Sequence, residues 1–267
     1  MDLAGPIGLV VAFAVIFVVM IMEGTSPTAV LLPGPLLLVW VTTLAVGLAG
    51  HTLRDAKAAF AAVPRALRGR LPQPDGLIET LVQLADKARR EGLLALEDAT
   101  RSIEDPFLRN GLQSAIDGTD PEDLREILED RIATKRTKDR VAAKYFSDMG
   151  GYAPTVGIIG TVISLVHVLE NLSQPAALGQ NIAAAFVATL WGLLSANVVW
   201  LPISTRIRRL SDLECAQMEL ALEGLLAVQA GANPRLVGER LRSLLPDDAV
   251  AGDGKKDGKK DAKKAAA

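Results

Sequence analysis

MGGYAPTVGIIGTVISLVHVL (residues 149–169) and NIAAAFVATLWGLLSANVVWLPI (residues 181–203) contain no Asp, Glu, Lys or Arg. As helix, each is long enough to cross a hydrocarbon core, which takes about 20 apolar residues. An ionised side chain at the centre of such a segment costs about 2.5–3.5 kcal/mol even on lenient insertion scales. Charge-free stretches of this length therefore read as membrane spans.

The rest of the chain follows the same division. Of the 29 Lys and Arg residues, 17 fall between Arg54 and Lys144 and 12 between Arg206 and Lys264. Residues 1–50 and 145–205 hold none, and their acids are confined to Asp2, Glu23, Asp148 and Glu170. Leu3–Met22 and Ala29–Gly50 are two further uncharged runs, so the expectation is four spans. The first run does not read as a signal peptide, because Asp2 stands where a basic n-region belongs and the apolar run is too long for an h-region. The connectors Glu23–Thr28 and Glu170–Gln180 lack Lys and Arg and are placed outside by the positive-inside rule. Both termini are then cytoplasmic, in an inner membrane.

The segments order themselves around these spans. Residues 1–50 hold the first two spans and a short outer loop, and 51–148 form a helical cytoplasmic domain. Residues 149–205 hold the last two spans, and 206–245 form C-terminal cytoplasmic helices. The lysine-rich tail, 246–267, cannot bury a core and is expected to be disordered. The fold class is all-α, an integral membrane protein.

Within 51–148, Pro72-Gln73-Pro74-Asp75-Gly76 is a break, and Leu77, Leu81, Leu84 and Ala88 then recur at helical spacing. Asp105-Pro106 starts another helix that stops near Gly118. Asp120-Pro121-Glu122-Asp123 combines a cap, an N1 proline and acids facing the helix dipole. A long helix is expected from there into the third span. After the fourth span, Leu213, Met218, Leu222, Leu225 and Leu226 form an amphipathic helix that ends at Gly231-Ala232-Asn233-Pro234. Acids and bases are balanced in the cytoplasmic domain, which speaks against a nucleic-acid surface.

No catalytic constellation is present: no phosphate loop, nucleophile elbow or HExxH. The single cysteine, Cys215, and the two histidines, His51 and His167, make no metal set, and no cofactor is expected. The histidines read as interfacial rings. Small residues at intervals of four (Ala153, Gly157, Thr161; Ala184, Ala188, Gly192, Ala196) let helices approach closely, within one subunit or against another chain. Thr161 and Thr189 add hydroxyls on or beside these stripes. Pro154 and Pro202 each free a backbone carbonyl near a cytoplasmic span end, where a helix can hinge. Arg89, Arg90 and Glu97 lie near one helix end. Arg89 and Glu97 share a broad side if the helix persists through Gly92, and by spacing alone they are solvated surface charge.

Residues 150–162 (GGYAPTVGIIGTV), 167–173 (HVLENLS), 185–192 (AFVATLWG) and 195–203 (SANVVWLPI) resemble the third and fourth spans of MotA-family flagellar stators. Residues 88–97 (ARREGLLALE) resemble the family's loop motif. Leu222-Glu223-Gly224 through Asn233-Pro234-Arg235 is similar to its C-terminal segment. The resemblance runs from about residue 3 to 245 and agrees with four spans. It implies a ring of about five such chains around two MotB chains, which are anchored to peptidoglycan and supply the membrane aspartates. It implies an ion path touching Thr161 and Thr189, and coupling of ion flow to movement through Pro154 and Pro202. The rotor protein FliG would engage Arg89, Arg90 and Glu97. The proton is the default ion; Thr161 is similar to a threonine of sodium-using relatives. The alternatives are an energy-transducing subunit like TolQ or ExbB, which have three spans, and a non-conducting membrane scaffold.

Overall fold

The computed structural model describes residues 4–69, 72–170 and 175–245; the lysine-rich tail lies outside them. Its helices are α1 (Ala4–Met22), α2 (Pro33–Ala49), α3 (Leu53–Arg68), α4 (Pro74–Glu91), α5 (Glu97–Ser102), α6 (Pro106–Ile116), α7 (Pro121–Glu170), α8 (Pro175–Leu194), α9 (Leu201–Gln229) and α10 (Pro234–Ser243). A π-helical segment, Ser195–Trp200, joins α8 to α9. The described residues contain no strand, and the all-α class holds.

Three helical runs are long and apolar enough to cross a bilayer: α1, a segment of the 50-residue α7, and a segment of the continuous run Leu178–Gln229. The apolar α2 has 17 residues, the low end of the spanning range of about 17–25. Four spans are consistent with this set. The second is shorter than the sequence suggests, because Pro33 and Pro35 lack N–H groups and fit only the first turn of a helix. Residues Pro27–Val30 ahead of them make a separate 3₁₀ turn.

The proposed starts and stops have clear local causes. The Asp105 side chain caps α6 through the Phe107 N–H at 2.8 Å, and Asn233 caps α10 through the Arg235 N–H at 3.0 Å. Gly118 and Gly231 have φ of 85° and 65°, left-handed values that end the preceding helices without a Cβ penalty. Thr52 and Asp55 form a reciprocal capping box on α3. The Thr52 hydroxyl and backbone N–H hold the Asp55 carboxyl below its ordinary pKa. This cap therefore contributes above the unfolded carboxylate's pKa and is lost as pH falls through the lowered one.

The chain forms two compact units. In the first (1–71 and 136–212), α7 and α8 approach to backbone contact. A Cβ added at Gly192 would lie 2.8 Å from the Ala153 carbonyl and 3.0 Å from the Gly157 Cα. The small residues spaced by four thus pack two helices of one chain. At Gly160 a Cβ would meet Leu38 of α2 at 2.6 Å and Ala188 of α8 at 2.8 Å. The Trp191 indole N–H donates to the Val30 carbonyl at 2.7 Å, tying the 3₁₀ turn to α8. Near the ends of the apolar segments, Phe146 stacks on Trp200 and Trp40 meets Trp200 edge-on. His51 Nδ1–H donates to the Gly47 carbonyl at 3.0 Å, and the ring lies edge-on to Tyr145. Arg65 bonds the buried Asp139 carboxylate at 2.6 Å, and the Ser204 hydroxyl donates to the Ala143 carbonyl at 2.7 Å.

The described residues of the second unit (72–135 and 213–245) form a helical bundle around an apolar core. Ile78, Leu81, Leu96, Leu112, Leu124, Leu128 and Leu225 are almost fully buried there. Cys215 is buried in the same cluster, a small apolar residue in effect. Glu223 bridges Arg125 at 2.9 Å and Arg240 at 2.8 Å across this core's edge.

Backbone atoms cannot yield to a new methyl group as a flexible side chain does. Gly192→Ala is therefore expected to lower the thermal midpoint of the purified membrane complex by several degrees. Gly151→Ala meets nothing within 4 Å and should leave it unchanged or raise it. Equal midpoints for the two variants would refute the backbone-contact account of the α7–α8 pair.

Candidate functional site

The α7–α8 contact places two hydroxyls face to face. Thr161 lies four residues after Gly157 on α7, and its hydroxyl stands over the Gly157 carbonyl one turn back; Thr189 lies four residues after Ala185 on α8. Thr161 Oγ1 is 3.2 Å from the Gly157 carbonyl and 3.1 Å from the Ala185 carbonyl across the helix pair. Thr161 and Thr189 also hydrogen-bond each other through their hydroxyls. Thr189 Oγ1 lies 3.5 Å from the Gly157 carbonyl. Each hydroxyl has one proton to give. Either hydroxyl can donate to the other while the acceptor of that bond donates to a carbonyl. Lone pairs on the hydroxyls are then left for a further donor or a cation. Four oxygens converge where the spans themselves carry no charge. Both threonines are only half-buried.

Sequence reasoning paired the threonines but missed the two carbonyls. Their signal was present: a threonine four residues after a small residue on each of two close-packed helices. Opposed hydroxyls there can exchange their bonds across the interface.

Pro154 lies inside α7, which continues without interruption through Gly150-Gly151 and to Glu170. Pro202 is the second residue of α9, directly after the π-helical segment. Having no N–H, it leaves the Val198 carbonyl without its usual partner. Widening into π geometry just before a proline is a recognised route to a local kink. The sequence marks the proline but carries no sign of the π segment.

Arg89, Arg90 and Glu97 belong to the other unit and are all exposed. The helix does not persist through Gly92. That residue adopts φ 84°, α4 ends at Glu91, and Glu97 opens α5 after a 3₁₀ turn. The condition for Arg89 and Glu97 to share a helix face is therefore not met. Gly92 occupies the left-handed region, where only glycine is unstrained. Arg90 is held by Asp86 one turn back, at 2.9 Å.

Comparison with known proteins converges on one family. Residues 99–220 match the model of the MotA/TolQ/ExbB proton channel family. Motility protein A of Bacillus subtilis is 34% identical, with 92% of each chain covered. The chemotaxis protein PomA of Vibrio alginolyticus is 32% identical, over 92% of this chain and 96% of that one. Among solved structures, the C. jejuni MotAB structure superposes with a TM-score of 0.88 at 29% identity, covering 93% of this chain and 97% of its own. The flagellar MotAB stator complex from Bacillus subtilis gives 0.86 at 33% identity, covering 92% and 97%. Sequence likeness over nearly the whole chain and the same helical fold agree: this membrane-embedded chain belongs to the MotA family of flagellar stator subunits.

Proposed function

We propose that this chain forms the conducting and torque-generating ring of a stator in the inner membrane, with both termini in the cytoplasm. About five copies surround a MotB-like partner anchored to peptidoglycan, and the exposed loop charges act on the rotor protein FliG. One observation carries this reading: the Thr161–Thr189 oxygen cluster sits in spans whose sequence contains no carboxylate. A protein that moves ions places an ionisable group in the membrane. Here the hydroxyls are on this chain and the carboxylate falls to the partner.

The chemistry follows from the donor count. A protonated partner carboxyl can donate to the lone pairs of Thr189. Once ionised it loses that bond and gains a charge that the low-dielectric surroundings penalise. Two protonation states therefore favour two positions of the partner against α7 and α8, which is the requirement for a two-state switch. Pro154, and Pro202 with its π segment, are the places where such a shift would bend the helices. No bond to substrate is made or broken in this scheme. A fourth apolar helix, α2, favours the stator over a three-span transducer of the TolQ or ExbB kind.

Deletion of the gene is expected to give cells with normal numbers of flagella that do not swim, with motility restored by the intact gene. Normal swimming without a second stator gene would refute the assignment. Swimming speed should not depend on external sodium at constant proton-motive force. If exchange of sodium for potassium stops motion, and Thr161→Ala alters that dependence, the oxygen cluster serves sodium instead. Arg89→Glu should reduce torque several-fold at unchanged membrane abundance, and Pro154→Ala should remove torque more than it removes protein. Full torque in either variant, measured on tethered cells, would strike that residue from the mechanism.

A further inference from the structure

The first unit contains a second polar feature that the stator scheme leaves unused. A cavity of about 410 Å³ is lined by Arg136, Arg140 and Lys144 of α7 and by Arg208, Ser211 and Asp212 of α9. The α7 residues are spaced by four, and the α9 residues fall at i, i+3 and i+4, so each set lies on one helix face. Four cations and one carboxylate line it, a net formal charge of about +3 by ordinary side-chain pKa values.

These charges are not all committed to protein partners. Lys144 is paired with Asp148 at 2.8 Å, and Arg136 has an interaction of its own. Arg140 and Arg208 are exposed and form no ion pair among the described residues. Ser211 is 4% exposed, yet its hydroxyl has no hydrogen-bond partner among the described residues. A desolvated hydroxyl without a partner is unfavourable and calls for one. Guanidinium forks, an ammonium and a hydroxyl together match a phosphate ester, which accepts several hydrogen bonds at once.

The height of the cavity narrows the ligand. Lys144 precedes the start of the third uncharged run, Met149, by five residues, and Arg208 follows the end of the fourth, Ile203, by five. At the helical rise, these two are about 7.5 Å from the hydrocarbon edge, the depth of lipid headgroups, and Arg140 and Ser211 lie about one turn further out. Long basic side chains reach from there to the interface. Asp212 repels a bare phosphate but accepts from a headgroup hydroxyl.

We propose that this cavity binds the phosphodiester of an anionic, hydroxyl-bearing phospholipid from the cytoplasmic leaflet. The proposal rests on the cytoplasmic placement argued above. Its readout is lipid binding and not torque, so failure of this site and failure of the stator reading give different results.

The test uses the intact complex, full-length chain with its partner, delipidated in detergent and titrated by native mass spectrometry. Phosphatidylglycerol should bind, and phosphatidylcholine should not. Removing a charge near an anionic headgroup weakens binding about fivefold, so Arg140→Gln with Arg208→Gln should weaken it about 25-fold. Ser211→Ala should also weaken it, whereas Arg209→Gln, outside the cavity, should not. Equal phosphatidylglycerol binding by the double variant and Arg209→Gln overturns the site. Binding of inorganic phosphate without the lipid, lost in the double variant, overturns the lipid assignment and gives the cavity to a soluble phosphate. Binding of neither overturns the proposal.

Discussion

The approach of Gly157 to Gly192 governs the first unit. In lipid, no hydrophobic drive brings two helices together, because the tails are as apolar as the side chains. Contact must come from close packing and interhelical hydrogen bonds, and both need small residues. With Cα and carbonyl atoms near 3 Å from where a Cβ would stand, α7 and α8 reach the distance at which a Thr161 hydroxyl meets an Ala185 carbonyl. A wider pair would leave each threonine bonded to its own helix. The polar cluster is thus a consequence of the glycine contact and not a separate design element.

The absence of charge from the same helices has the complementary effect. Every Lys and Arg of this chain lies outside residues 1–50 and 145–205. Spans three and four therefore provide oxygen ligands and a low dielectric but no carboxylate of their own. A carboxylate brought there by another chain would feel its protonation state strongly. Had one of the ring-forming chains supplied its own acid, each copy would have to bury an unpaired charge. On the proposed partner, that cost would be confined to the partner's copies.

Much of this was legible in the sequence, for identifiable reasons. Charge-free runs mark membrane helices because hydrocarbon excludes ions, and that rule depends little on tertiary context. Asp105, Asn233, Gly118 and Gly231 mark helix ends because capping is local. The small residues spaced by four named the α7–α8 interface but could not say which chain they packed against; that required the fold. Whether a helix persists through Gly92 was left open by the sequence, because helical periodicity on either side hides one residue of positive φ. The early limit of α2 was legible in Pro33 and Pro35, but apolar composition outweighed them. The π segment had no sequence signal beyond the proline following it, since π and α geometry use the same residues. The carbonyls of Gly157 and Ala185 were hidden because backbone acceptors have no letter of their own.

The basic residues midway along α7 and in the first turns of α9 fit the same logic. Positive charge at a span's cytoplasmic end fixes orientation, and exposed arginines would suffice for that. Orientation alone does not explain a buried Ser211 hydroxyl without a partner, or guanidiniums on two helices facing one cavity. A shift of α7 and α9 during ion passage would move those charges through the headgroup layer, where each interacts with anionic lipid over a Debye length. A seated headgroup would bind one arrangement of the two helix segments better than another. By linkage it could bias the switch only by that difference in affinity.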